Sequence, residues 1–180
     1  MTVVKRASRE TNIVVTLGSG AEPSKIDTSV PFLDHMLTTL ARYSGIGMSV
    51  EARGDLRHHI IEDVAIVVGA ALRAHLPANA ARFGDRTVPM DDALVHCAVD
   101  LGGRAYYRGR LPSRMYEHWM RSFADNAGAT LHLRVLRGED RHHVVEAAFK
   151  ALGLALRDAM RATGDGVFST KGSVQLEVTQ

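Results

Sequence analysis

The sequence predicts an α+β fold in which one strand–helix–strand–helix unit occurs twice, packed as layers of sheet and helix. Three observations lead there. The string HHIIED at 58–63 returns as HHVVEA at 142–147. Upstream of each copy an acid–histidine pair runs into large apolar residues, LDHML at 33–37 and YEHWM at 116–120. The interval from His35 to His58 is 23 residues and that from His118 to His142 is 24. Internal repetition takes precedence over single elements in reading a fold. Two copies offset by about 84 residues make one pseudo-symmetric domain over 1–180, with repeats expected at about 1–84 and 85–180.

The elements follow in order. ETNIVVTLG is rich in β-branched residues and reads as a strand around 11–17, and GSGAEPSKID as a polar turn region. In PFLDHMLTTLARYSG, Phe32, Met36, Leu40 and Tyr43 recur at helical spacing, and Gly45 ends the helix. MSVEARGD is a strand and its turn. From Ile60 to Leu76, the residues Ile61, Val64, Ala65, Val68 and Leu72 form an apolar helical stripe stopped by Pro77. The second half repeats the order. ALVHCAVD (93–100) and RAYYRGRL are strands, RMYEHWMRSFADNAG is a helix ended by Gly128, and ATLHLRVL is a strand. The last helix is expected over Val144–Met160, with Gly164 and Gly166 after it.

Composition narrows the class. An apolar fraction of 46% can bury a core, and 23% charged residues is ordinary for a globular chain. A net charge of +2 carries no nucleic-acid footprint. Cys97 is the single cysteine, so an intramolecular disulfide is excluded. No apolar run of about 18 residues suggests a membrane span, and no signal-peptide pattern opens the chain. The expectation is a cytoplasmic protein with neither nucleic-acid nor membrane partners.

Histidine with carboxylate is the common donor pair for transition metals. On a helix, residues three and four apart share a face, so Glu62 is expected near His58 and His59. Adjacent histidines diverge by about 100 degrees around the axis, so each member of a pair is expected to serve a different ion. The two strings supply His58, His59, Glu62, His142, His143 and Glu146. Adding His35 and His118 makes three histidines and one carboxylate for each of two ions, which leaves open coordination positions for a substrate. A mixed nitrogen–oxygen shell suits manganese, iron or nickel. A single HHxxE is often only polar surface. Two copies inside a repeat, each preceded by an acid–histidine pair, weigh against that. His75, His96 and His132 have no repeat partner; His75 is expected near solvent, His96 and His132 as satisfied core residues on strands.

Several stretches carry a resemblance: ET at 10–11, PFLDHML at 31–37, HHIIEDVAI at 58–66, RFG at 82–84, PMDDAL at 89–94, DLGGRAYY at 100–107, EHWMRSFADNAGATLHLRVL at 117–136, HHVVEAAFKALG at 142–153 and STKG at 169–172. In order and spacing they resemble the imidazoleglycerol-phosphate dehydratase family over nearly the whole chain. The resemblance implies a fold like that of ribosomal protein S5 domain 2. It implies dehydration of D-erythro-imidazole glycerol phosphate to imidazole acetol phosphate in histidine biosynthesis. It implies two manganese ions per active site, bound to the substrate imidazole or imidazolate, and a homo-oligomer of 24 subunits with sites between them. Carried over by position, it makes His35, His58, His59, Glu62, His118, His142, His143 and Glu146 the ligands. It places Arg82, Arg104, Lys150, Ser169, Thr170 and Lys171 at the substrate phosphate, and Glu10 reaching into a neighbouring subunit's site. Glu10, Glu62 and Glu146 remain alternative proton acceptors. Two other readings stay open: a dinuclear phosphate-ester hydrolase, and metal ions that only staple subunits together.

Overall fold

The structure, a computed structural model, describes residues 1–20 and 24–164. The first half carries β1 (Thr2–Ala7), β2 (Thr11–Ser19), β3 (Lys25–Asp27), α1 (Pro31–Ser44), β4 (Ile46–Gly54) and α2 (Arg57–His75). The second half carries β5 (Phe83–Met90), β6 (Ala93–Asp100), β7 (Tyr106–Arg108), α3 (Arg114–Ala127), β8 (Thr130–Arg137) and α4 (Arg141–Ala159). The first sheet has the order β1-β2-β4-β3 and the second β5-β6-β8-β7. In each, the first three strands of that order run antiparallel and the short last strand lies parallel to its neighbour. The two halves therefore match element for element.

Three strands were not legible as such. β1 and β5 are edge strands whose alternating polar residues (Lys5, Arg6; Asp85, Arg86) hide them; only pairing with β2 and β6 makes them strands. β3 occupies the end of the segment read as a turn, held by parallel pairing to β4. The strand expected over RAYYRGRL shrinks to Tyr106–Arg108. Both long helices begin three residues before their apolar stripe, at Arg57 and Arg141, so each histidine pair sits in a first helical turn. α4 ends at Ala159, before Gly164.

Local sequence explains the helix ends. Pro31 stands at the start of α1, where its missing N–H costs nothing. Gly45 (φ 73°) and Gly128 (φ 62°) close α1 and α3 in the left-handed region, 83 residues apart. Asp140 caps α4 by accepting from the backbone N–H of His142 and His143.

The helices cross between halves. α2 packs chiefly on α3, and α1 on α4. Glycine permits both crossings: a Cβ on Gly69 would lie 2.6 Å from Phe123 O, and one on Gly153 2.8 Å from Tyr43 Cβ. One apolar cluster runs through both halves, with Trp119, Phe123 and Phe149 fully buried in it. Gly69→Ala gains up to about 1 kcal/mol of helix propensity. It meets backbone that cannot swing aside, at a cost of about 1–3 kcal/mol. Net destabilisation is expected, read as a lower denaturant midpoint; a raised midpoint would show that the helices can part freely.

Cys97 is buried, and burial pushes its thiol well above the ordinary range. His96 and His132 differ from expectation: their side chains leave the core, His96 half-buried beside Thr87 and His132 exposed, because they take the outward positions of β6 and β8. His75 ends α2, half-buried, with its Nδ1 3.2 Å from Thr2 Oγ1. No helix among the described residues is long and apolar enough to cross a membrane.

Candidate metal centre

The cross-packing of helices decides which histidines meet. Because α1 lies on α4, His35 faces the first turn of α4. Its Nε2 is 3.2 Å from Glu146 Oε2, and His142 Nε2 lies 3.2 Å from the same oxygen. Because α3 lies on α2, His118 faces the first turns of α2. His118 Nε2 is 3.3 Å from Glu62 Oε1, and His58 Nε2 is 3.3 Å from Glu62 Oε2. Each cluster joins one histidine from one half to a histidine and glutamate from the other. In each, one donor atom per residue lies within 4.8 Å of the others. Among the described residues these are the groups of three or more able to hold a metal ion. Two imidazoles and a carboxylate at that spacing fit a divalent transition metal with coordination positions to spare.

The clusters are not equivalent. Glu146 is buried, its side chain 9% exposed, and its other oxygen takes Lys150 Nζ at 2.8 Å. Burial would raise this carboxyl, but the hydrogen bonds from Lys150 and His35 outweigh burial and hold it below the usual range. Glu62 is 34% exposed, and the position matching Lys150 in the first half is Ile66. Lys150 also touches Met90 Sδ at 3.0 Å and stands 5.8 Å from the Tyr43 ring.

His59 and His143 join neither cluster. His59 points its Nδ1 at Asp55 Oδ1, 2.9 Å away, with Glu10 Oε2 at 3.8 Å. His143 points its Nδ1 at Asp92 Oδ1, 2.7 Å away, with Asp91 Oδ2 3.4 Å from its Nε2. Each imidazole is raised above its ordinary pKa, first by the hydrogen bond to its aspartate. Of the two histidines expected near it, Glu62 faces His58, while His59 is taken up by Asp55.

The residues assigned to phosphate are dispersed in their engagements. Arg82 (φ 69°) forks onto Asp100, Nη2 to Oδ1 2.9 Å, and donates Nε–H to Leu101 O at 3.0 Å. Arg104 is exposed, two residues beyond the Gly102 turn, and its carbonyl accepts from Thr130. A Cβ on Gly103 would sit 3.2 Å from Asp100 Oδ2 and 3.7 Å from Arg82 Nη2, so the Arg82–Asp100 pair and the Arg104 loop adjoin. Lys150 stands on α4 one turn after Glu146. Ser169, Thr170 and Lys171 lie outside the described residues. Sequence reasoning missed Asp55, Asp91 and Asp92, because acids in turns such as RGD and PMDDAL carry no mark of the imidazoles they meet.

A pseudo-symmetric α+β scaffold with a two-histidine, one-glutamate donor set at each seam between its halves defines the class: a protein with the ligand chemistry of a metalloenzyme. The family model described as imidazoleglycerol-phosphate dehydratase matches residues 28–156. The imidazoleglycerol-phosphate dehydratase of Pyrobaculum aerophilum is 49% identical over 183 residues, 93% of this chain and 96% of that one. That of Chlorobium chlorochromatii is 43% identical, covering 95% of each. The crystal structure of IGPD from Pyrococcus furiosus in complex with (S)-C348 superposes with a TM-score of 0.86 at 40% identity, over 95% of this chain and all of that chain. The Staphylococcus aureus imidazoleglycerol-phosphate dehydratase structure gives a TM-score of 0.79 at 34% identity, over 90% of this chain and 99% of that one. The chain belongs to the imidazoleglycerol-phosphate dehydratase family, and is an enzyme of the hydro-lyase class.

Proposed function

We propose that the chain, as one domain over 1–180, dehydrates D-erythro-imidazole glycerol phosphate to imidazole acetol phosphate for histidine biosynthesis. The site proposed holds two divalent transition metals, manganese first among them. The observation that carries the metal half of this reading is the pair of cross-half clusters, His35–His142–Glu146 and His58–Glu62–His118, reproduced by pseudo-symmetry. Metals bound there would supply Lewis acidity to the substrate imidazole.

The chain's own residues do the rest. Lys150 and His35 keep Glu146 ionised, so it stands ready as a ligand. Glu10, its side chain 57% exposed, is engaged among the described residues by the longer approach to His59, and there it is the freest of the three proton-accepting candidates, Glu10, Glu62 and Glu146. His59 and His143 turn outward from the chain's own clusters, which suits ligands given to sites in neighbouring copies of a large homo-oligomer, a 24-mer by family resemblance. Glu10 lies beside His59 and would travel with it to that site. Arg82 and Arg104, with Lys150, Ser169, Thr170 and Lys171, would hold the phosphate end and so orient the reacting carbons. The setting proposed is the cytoplasm.

Purified protein supplied with imidazole glycerol phosphate should form an enolisable ketone. Chelation should abolish that turnover and added manganese restore it. Release of inorganic phosphate in place of ketone would favour the hydrolase reading, and ketone formation untouched by exhaustive chelation would remove the metals from the chemistry.

A further inference from the structure

The two histidines outside the clusters share a feature that the clustered ones lack. His35, His58, His118 and His142 all turn Nε2 toward a glutamate of their own cluster. His59 and His143 instead bring Nδ1 against an aspartate, at 2.9 and 2.7 Å. Neither aspartate belongs to any ligand set. We infer that Asp55 and Asp92 are positioning residues that lock the His59 and His143 rings with Nδ1–H bound inward and Nε2 presented outward as the metal donor. The inference rests on the proposed reading of His59 and His143 as ligands.

The way each carboxylate is held supports this role. Asp92 lies in the β5–β6 hairpin, and one of its oxygens is pinned by backbone: Oδ2 accepts from Glu139 N–H at 2.7 Å and Asp140 N–H at 3.1 Å. That leaves Oδ1 aimed at the ring. These bonds hold the Asp92 carboxyl far below the usual carboxylate range, the backbone bond from Glu139 contributing most. Asp55 lies between β4 and α2, and its Oδ1 accepts from Leu56 N–H at 2.6 Å as well as from His59. The same task is thus done by different parts of the fold in the two halves. An aspartate in the loop before the helix serves His59, and an aspartate in a neighbouring hairpin serves His143. The position matching Asp55 in the second half is Glu139, whose backbone instead anchors Asp92.

The chemistry is that of a carboxylate–histidine–metal relay. A carboxylate on Nδ1 selects the tautomer whose Nε2 lone pair is free, stops ring rotation and raises the donor's basicity. Asp91 Oδ2 approaches Nε2 of His143 at 3.4 Å, but that carboxylate is 68% exposed and, among the described residues, Asp91 has no comparable backbone anchor, so it leaves Nε2 open to exchange.

The test uses the full-length protein stripped of metal and titrated with cobalt(II), followed by its visible absorption and by chelator competition. Asp92→Asn should weaken one of the two ions by about 10–100-fold, the usual effect of losing an outer carboxylate. The other ion should keep its affinity within about twofold, and the metal-free protein its thermal midpoint. Asp55→Asn, in the opposite half, should weaken the other ion by a similar factor. His143→Ala is the reference and should lose an ion outright. If His143→Ala loses an ion while Asp92→Asn and Asp55→Asn bind cobalt as the parent does, the positioning role is overturned and the ligand reading stands. If Asp92→Asn weakens both ions equally or lowers the metal-free midpoint, Asp92 is only a hairpin anchor and the inference fails. If His143→Ala keeps both ions, the ligand reading falls and this inference falls with it.

Discussion

His142→Ala is expected to leave the protein one bound ion short and to cost turnover more than the about 10–100-fold that outer partners of a ligand typically cost. The imidazole it removes is one of two that reach Glu146 Oε2, at 3.2 Å on each side. Without it, the cluster keeps only His35 and a carboxylate whose other oxygen is already bound to Lys150. Two donors from this chain, one of them shared with a lysine, and one imidazole from a neighbouring copy make a poorer transition-metal site than the full set. The side chain is about half exposed, so little packing is lost and the fold should persist. Metal content by elemental analysis, alongside ketone formation, reads the outcome. Full metal content with parental turnover would show that the His35–His142–Glu146 cluster is not where an ion binds.

Trp119→Ala is expected to destabilise the protein by about 3–5 kcal/mol, the usual cost of emptying a large aromatic site in a packed core. Trp119 is fully buried where α3 meets α4. Its ring stacks on Phe123 at 5.3 Å and lies 4.7 Å from Phe149, so it ties the two helices together. It also follows His118 in the chain, and loosening α3 moves that histidine relative to α2. Chemical denaturation of the metal-free protein gives the stability, and adding metal separates folding from ligation. A loss of less than about 1 kcal/mol would mean the helices close over the void, against the rigidity that the shared core implies.

Much of the candidate site was legible before the fold was known. The six residues that meet in the two clusters, and His59 and His143 beside them, stand out because the same short string, with the same acid–histidine prelude, occurs twice at matched spacing. The strong helices and the inner strands were equally plain, since buried faces impose their period on the sequence. The edge strands β1 and β5 were not: half their residues face water, and nothing in TVVKRA or FGDRTVPM distinguishes a strand from a loop until its partner is present. The aspartates around His59 and His143 were passed over for a related reason. Asp92 is 51 residues from the ring it holds, and an isolated acid in a turn carries no mark of its distant contact.

By itself the chain of residues determined the duplication, the inventory of imidazole and carboxylate donors, and the family, because repetition and motif spacing are properties of order alone. Which donors meet was decided only in three dimensions. The glycines at 69 and 153 let each long helix, seated on the sheet of its own half, also approach a helix of the other half closely. That crossing sends His35 to Glu146 and His118 to Glu62, while His59 and His143, one step round the helix from His58 and His142, meet aspartates instead. Contacts between distant segments depend on how whole surfaces fit, and no local stretch of sequence carries that information.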